Sequence, residues 1–190
     1  MGAQKFRDFV HDLTLLANED PSEAVMLRKA RPLMSDLLTS DEWLPDEFAK
    51  PDPDRYSQYL LHCDPLERFS IVSFVWAIGQ ETPIHDHTVW GILGVLRGSE
   101  KSQRFEIEGN VIQRVGGLEY LESGQIDLVS PTIGDIHKVS NAEKARSSVS
   151  VHVYGGNIGR IGRHSYKENG SRKNFISGYS HRLMPNIWMK

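Results

Sequence analysis

The chain has 190 residues and a mass of 21.6 kDa, enough for one ordinary domain with a sizeable core and too little for a multidomain machine. Hydrophobic residues make up 39%, in the globular rather than the disordered range. Its 22 Lys+Arg and 25 Asp+Glu give a net charge of −3, with no block of like charges to suit nucleic acid or an anionic membrane surface.

Residues 4 to 48 show helical rather than alternating periodicity. Phe6, Phe9, Val10, Leu13 and Leu16 recur at that spacing, as do Val25, Met26, Leu33, Leu37 and Leu38 after a break. Asp20 as a cap, Pro21 at the first helical position and Glu23 sign the second start. This predicts two or three short helices, ended by Pro45, Pro51 and Pro53. The first residues carry no hydrophobic signal core, and Phe6 stands where an N-myristoylation motif needs Ser or Thr, so the expected location is the cytoplasm. The single cysteine, Cys63, fits that compartment and is expected to be a small buried hydrophobe.

From Tyr56 onward the chain breaks into short runs rich in Val, Ile, Phe, Tyr and Trp, separated by turn residues. The expected strands are 56–61, 69–77, 84–87, 90–96, 101–107, 111–114, 118–121, 126–129, 136–139 and 147–154, with turns at Gly109-Asn110, Gly116-Gly117 and Ser123-Gly124. Many short strands predict a barrel or sandwich. After Tyr154 the chain reads as glycine-rich and irregular. It ends in a stretch containing Phe175, Tyr179, Leu183 and Trp188, expected to fold back over the barrel. No internal repeat or linker divides the chain, so the expectation is a single unit: 1–50 helical, 56–160 barrel, 161–190 a segment packed on it.

Histidines carry the chemistry. His85-Asp86-His87 in a strand-like run places two imidazoles on one face, with Asp86 directed away. The series Gly79, His85, His87, Gly91 and Gly98 resembles the first motif of the cupin barrels, a mainly β, jelly-roll-like fold. Gly91 stands where that motif usually has a metal-binding Glu. The stretch Gly124 to Pro131, Gly134-Asp135-Ile136-His137 and Asn141 resembles the second motif, with one residue's difference in spacing, and supplies a third histidine. Three neutral imidazoles and no carboxylate would leave a divalent metal its full charge and about three open positions, suited to an anionic thiolate and to O₂ on Fe(II), with zinc also compatible.

Ser150, His152 and Tyr154 alternate along one predicted strand and so share one face. With Tyr56-Ser57-Gln58 upstream, the ordered set resembles the cysteine dioxygenase-like thiol dioxygenases. The resemblance covers residues 56 to 160 and implies Fe(II) on His85, His87 and His137, a Ser150–His152–Tyr154 triad, and substrate recognition at Tyr56 and Gln58. Animal members carry Arg where this chain has Gln58, and a tyrosine-linked cysteine where it has Gly91, so Tyr154 should be an unmodified phenol. The segment Pro83 to Gly91 is most similar to a Gln-type bacterial branch that includes 3-mercaptopropionate dioxygenases. The reaction implied adds both atoms of O₂ to a small thiol carboxylate, giving a sulfinate.

A neutral Gln cannot neutralise a carboxylate as Arg does, so another cation is expected, Arg163 first and Arg160 next. L-Cysteine, cysteamine and mercaptosuccinate remain alternative thiols. A metal-cupin isomerase or a carbonyl-substrate dioxygenase would usually keep the Glu that Gly91 replaces, and a non-enzymatic ligand sensor would leave the triad unexplained. The expected partners are thus a small thiol and O₂, with no nucleic acid and no membrane, and the chain is expected to be a monomer.

Overall fold

A computed structural model describes residues 2–109 and 111–188. Two helices open the chain, α1 (Gly2–Asn18) and α2 (Glu23–Leu37), followed by a 3₁₀ turn at Asp46–Phe48. The start of α2 differs from the sequence expectation. Ser22 occupies the cap position, while Asp20 takes φ 45° in the link before it. Pro21 therefore lies ahead of the cap rather than in the first turn.

Among the described residues eleven strands follow: β1 (Ser57–Cys63), β2 (Ser70–Trp76), β3 (Ile84–His85), β4 (Gly91–Arg97), β5 (Ser99–Glu108), β6 (Val111–Glu122), β7 (Ile126–Val129), β8 (Ile136–Asn141), β9 (Ser148–Tyr154), β10 (Arg163–Tyr166) and β11 (Arg172–Phe175). They form a five-stranded sheet in the order β1-β2-β9-β4-β7 and a six-stranded sheet in the order β11-β10-β3-β8-β5-β6. The protein is thus mainly β, a cupin-type double-stranded barrel with helices at its N-terminal end.

Strands β2 and β9 are buried along their whole length, and period 2 explains how. Ile71 and Val75 of β2, with Val149, Val151 and Val153 of β9, join Phe6, Leu13, Met26 and Met34 of the helices in one apolar cluster. The opposite faces turn inward, where Val72, Phe74, Trp76 and Tyr154 meet Val139 of β8. The helices therefore seal the outside of the five-stranded sheet and leave its inner face to the site.

Several local expectations are corrected. Residues 111–122 form one strand, not two; Gly116-Gly117 marks a bulge, where the partner register shifts between Ser102 and Arg104, rather than a hairpin turn. The β5–β6 hairpin closes at Glu108 and Val111, and Asn110 at its tip lies outside the described residues. Only Ile84 and His85 of the run 84–87 are strand, and Thr88 beyond it takes φ 60°. The region read as irregular holds β10 and β11, which pair with each other and extend the sheet from β3. Cys63 is half-buried, not buried. At the C-terminal end Tyr179 packs against the inner cluster, while Leu183 and Trp188 are exposed. Among the described residues no helix is long and apolar enough to cross a membrane.

Candidate metal centre and thiol site

His85 and His137 face each other directly across the β3–β8 pair, so their side chains rise from the same side of the sheet. His87 enters from the loop just after β3. Ligand nitrogens of the three lie within 4.8 Å of one another, and all three side chains are buried. His-x-His convergence is achieved by one strand residue and one loop residue, not by strand alternation. Asp86 between them turns away, accepting bonds from the backbone N–H of His164 (2.8 Å) and from the Tyr166 hydroxyl (2.6 Å).

Each imidazole is held by a different partner at Nδ1. His85 Nδ1 lies 3.1 Å from the Pro83 carbonyl, His87 Nδ1 3.0 Å from Asp135 Oδ1, and His137 Nδ1 3.5 Å from Ser102 Oγ. Ser102 is tied in turn to Asp127, which is paired with Arg104. Fixing Nδ1 in this way presents the other nitrogen to a common point. His87 Nε2 is buried there without a hydrogen-bond partner. Burial, and after it the mutual proximity of the rings, holds the pKa values of His85 and His137 well below the usual histidine value. Neutral imidazoles at His85 and His137, converging with the orphaned Nε2 of His87, suit a divalent transition metal, so the residues present fit one.

Burial raises Asp135, but bonds from His87 and Thr88 outweigh it and keep the carboxyl below its ordinary range. It is an anion at neutral pH. Asp135 lies within the second motif, two residues before His137, and that spacing is the signal for it in the sequence.

The inner face of β9 supplies the second cluster. Tyr154 Oη lies 2.8 Å from His152 Nδ1, and His152 Nε2 lies 2.9 Å from Ser150 Oγ. The Trp76 indole donates to the same Oγ at 3.4 Å. Burial, then the neighbouring His87, keeps His152 well below its usual pKa, so it is a neutral relay with one donor and one acceptor nitrogen. Tyr154 stacks beside His87 at 5.4 Å between ring centroids, which joins the two clusters. Gly91 is registered against Tyr154, and a Cβ at Gly91 would come within 3.0 Å of its ring and 2.8 Å of Val129. The ring fills the space that a side chain at 91 would need.

A cavity of about 210 Å³ leads to His85 and is lined by Tyr56, Gln58, Phe74, Arg163, Lys173, Phe175 and Ser177, among others. Arg163 lies on β10, not in a glycine-rich loop. Its side chain is 3% exposed, donates to Ser177 Oγ at 2.7 Å and lies 4.7 Å over the Phe175 ring. Its Nε has no partner, and among the described residues no carboxylate lies within ion-pair distance of it. Burial lowers its pKa against the opposing influence of Tyr154, Tyr56 and Asp86, and its charge in turn acts on Tyr154, Tyr56 and His85. Arg160, the second candidate, points away to Glu67 and lines none of this cavity. Gln58 holds the Gly178 carbonyl at 3.4 Å, and Tyr56 stacks on Trp76 at 4.8 Å. Larger hollows beside Arg31 and Leu121, or beside Asp41 and Glu122, hold no histidine.

A sequence profile described as Cysteine dioxygenase type I matches residues 8–167. The chain belongs to that family. It is therefore a thiol dioxygenase in class, an oxidoreductase acting on a small-molecule thiol with O₂, and the family is iron-dependent. Among solved structures it is similar to a conserved protein with a double-stranded β-helix domain from Klebsiella pneumoniae, at 20% identity, TM-score 0.48, covering 59% of this chain and 87% of that one. A Thermus thermophilus protein gives 18% identity and TM-score 0.45, over 58% and 92% of the two chains. A cupin superfamily protein from Desulfitobacterium hafniense gives 13% and 0.42, over 57% and 84%.

Proposed function

We propose that this thiol dioxygenase converts 3-mercaptopropionate to 3-sulfinopropionate, with Fe(II) held by His85, His87 and His137. The observation that carries the choice of a thiol carboxylate is Arg163: a buried guanidinium in the cavity that reaches His85, with no carboxylate within ion-pair distance among the described residues. Burying an unpaired cation costs several kcal/mol, and an anionic ligand at that point recovers it. Gln58 and Tyr56 line the same wall and would add neutral hydrogen bonds to the carboxylate. No carboxylate is among the residues that line this cavity to pair with the α-ammonium by which L-cysteine differs from 3-mercaptopropionate, and the cation at its rim, Lys173, is exposed.

A ferrous ion held by the three imidazoles would supply Lewis acidity that favours the thiolate over the thiol, and redox chemistry toward O₂. The chain does the rest by positioning. Arg163 and Gln58 fix the carboxylate end, so that the sulfur end reaches toward His85. Tyr154, stacked beside His87, would donate a hydrogen bond from its hydroxyl where negative charge develops at that end. His152 orients the phenol, and Ser150 orients His152. The burial of the clusters keeps bulk water from the reacting sulfur.

The test is O₂ uptake by protein loaded anaerobically with Fe(II), with 3-mercaptopropionate, L-cysteine, cysteamine and mercaptosuccinate compared and products identified by mass. The expected result is fastest uptake with 3-mercaptopropionate and a gain of two oxygens. Faster turnover of L-cysteine would overturn the substrate, and no uptake with any of the four would overturn the activity. Replacing Arg163 by Met should raise KM for 3-mercaptopropionate by roughly 30-fold or more, the loss of a charge-assisted pair of about 2 kcal/mol, and leave cysteamine nearly unaffected.

A further inference from the structure

Glu100 stands at the far end of the Ser150–His152–Tyr154 row. It lies on β5 in the opposite sheet, yet its side chain is turned inward and is 2% exposed. Ser148 and Ser150 of β9 and the indole of Trp76 of β2 are the groups whose hydrogen bonding acts on its carboxyl. These contacts are loose: Glu100 Oε1 and Ser148 Oγ are both buried without a partner at full hydrogen-bond geometry. In register beside it are Asn141 of β8 and Leu121 of β6. Asn141 gives its amide to the carbonyls of Trp76 and Arg146. Glu143 and Arg146 pair with each other near Ser99, with Arg146 exposed. Among the described residues no Lys, Arg or His side chain offsets the charge of Glu100, while Tyr154 senses it. Burial pushes the carboxyl up from 4.5 to about 8.

A row of hydroxyl, imidazole and phenol can point its donors in two directions. With Glu100 protonated, its O–H donates to Ser150, Ser150 donates to His152 Nε2, and His152 Nδ1–H donates to the Tyr154 oxygen. The Tyr154 hydroxyl is then free to donate into the metal cavity. With Glu100 ionised, Ser150 donates to the carboxylate, His152 Nε2–H donates to Ser150, and Tyr154 donates backward to Nδ1. The phenol then has no proton left for the cavity side. Ionisation therefore passes one proton along the row: the carboxyl proton moves to Ser150, the Ser150 proton to His152 Nε2, the Nδ1 proton to Tyr154, and the phenol's original proton leaves on the cavity side, so that each hydrogen bond reverses and His152 changes tautomer.

We infer that Glu100 is a positioning residue which, through Ser150 and His152, sets the direction in which Tyr154 donates its hydrogen bond. The inference rests on the thiol-dioxygenase reading only for its kinetic consequence.

The experiment compares wild type with Glu100→Gln and Ser150→Ala, each loaded with Fe(II) to the same measured content. O₂ uptake with saturating 3-mercaptopropionate is followed from about pH 6 to about pH 9.5. Wild-type kcat should fall about tenfold per pH unit once Glu100 has ionised. Glu100→Gln, an amide that still donates to Ser150 but never ionises, should lose that alkaline limb, and Ser150→Ala should lose it by cutting the row. Persistence of the wild-type limb in Glu100→Gln overturns the inference. Infrared difference spectra supply an arm that needs neither turnover nor metal. Wild type at neutral pH should show a protonated-carboxyl carbonyl band that is lost at high pH, is absent from Glu100→Gln and is shifted in Ser150→Ala. A missing band, or one that Ser150→Ala leaves in place, also overturns the inference. If no thiol is consumed by metal-loaded wild type, the activity reading falls by itself and the infrared arm still decides the role of Glu100.

Discussion

The two sheets meet at the site but hold their residues in different ways. The six-stranded sheet and its loops carry the three histidines, each backed by a separate group: a carbonyl, a carboxylate and a serine. The five-stranded sheet carries Ser150, His152 and Tyr154 on one strand, each orienting the next. One arrangement is parallel and the other serial. Losing one support in a parallel set weakens a shared affinity, whereas losing one link in a serial set uncouples everything beyond it.

The largest expected effect breaks the parallel set at its centre. His137→Ala should abolish metal binding and lower activity by more than about 100-fold, beyond the cost of losing an outer partner, as read by metal analysis alongside O₂ uptake. The serial set should fail without losing metal: Tyr154→Phe is expected to lower kcat about 100-fold at wild-type metal content. Adding Ser150→Ala to Tyr154→Phe should then cost little more, since the two act through the same phenol. Retained turnover in Tyr154→Phe would remove the phenol from the reaction. A single support is a smaller matter. Asp135→Asn should weaken metal affinity by about 10- to 100-fold, measured by competition with a chelator, with no change in the triad's pH behaviour.

The smallest effect is on stability. Folding lifts the Glu100 carboxyl from 4.5 to about 8, so the native state holds more protons than the unfolded state between those values. Stability therefore falls as pH rises through that window and levels off above it. Relative to Glu100→Gln, wild type should lose several degrees of Tm from about pH 5 to about pH 8, at roughly 2–4 °C per kcal/mol. A constant difference across that range would show that Glu100 does not titrate there.

The serial arrangement was the more legible of the two. Ser-x-His-x-Tyr within a valine-rich run dictates one shared face through strand period alone, and β9 has that geometry. The convergence of His85 and His87 followed from spacing, although the backbone leaves the strand between them, at a loop whose shape depends on Asp135, 48 residues later. Strands β10 and β11 escaped notice because Arg-His-Ser-Tyr and Arg-Lys-Asn-Phe show no apolar alternation; they are set by pairing with β3 and with each other. Arg163 was thus a candidate by charge logic but misplaced in a loop. Glu100 sits in Ser-Glu-Lys-Ser, which reads as a solvated face. Its burial is imposed by the opposite sheet, which no local pattern records.

Strand β9 is lined with valines on one side and with the site's polar groups on the other, and both sides are covered. A slip of one residue in its pairing would press Ser150, His152 and Tyr154 against the helices and turn the valines toward the metal ligands. Such a chain could neither close its apolar layer nor assemble its chemistry. Proofreading of the strand's alignment is therefore built into folding itself: a molecule that has passed the test of burying three valines has, by the same act, aimed its reactive residues.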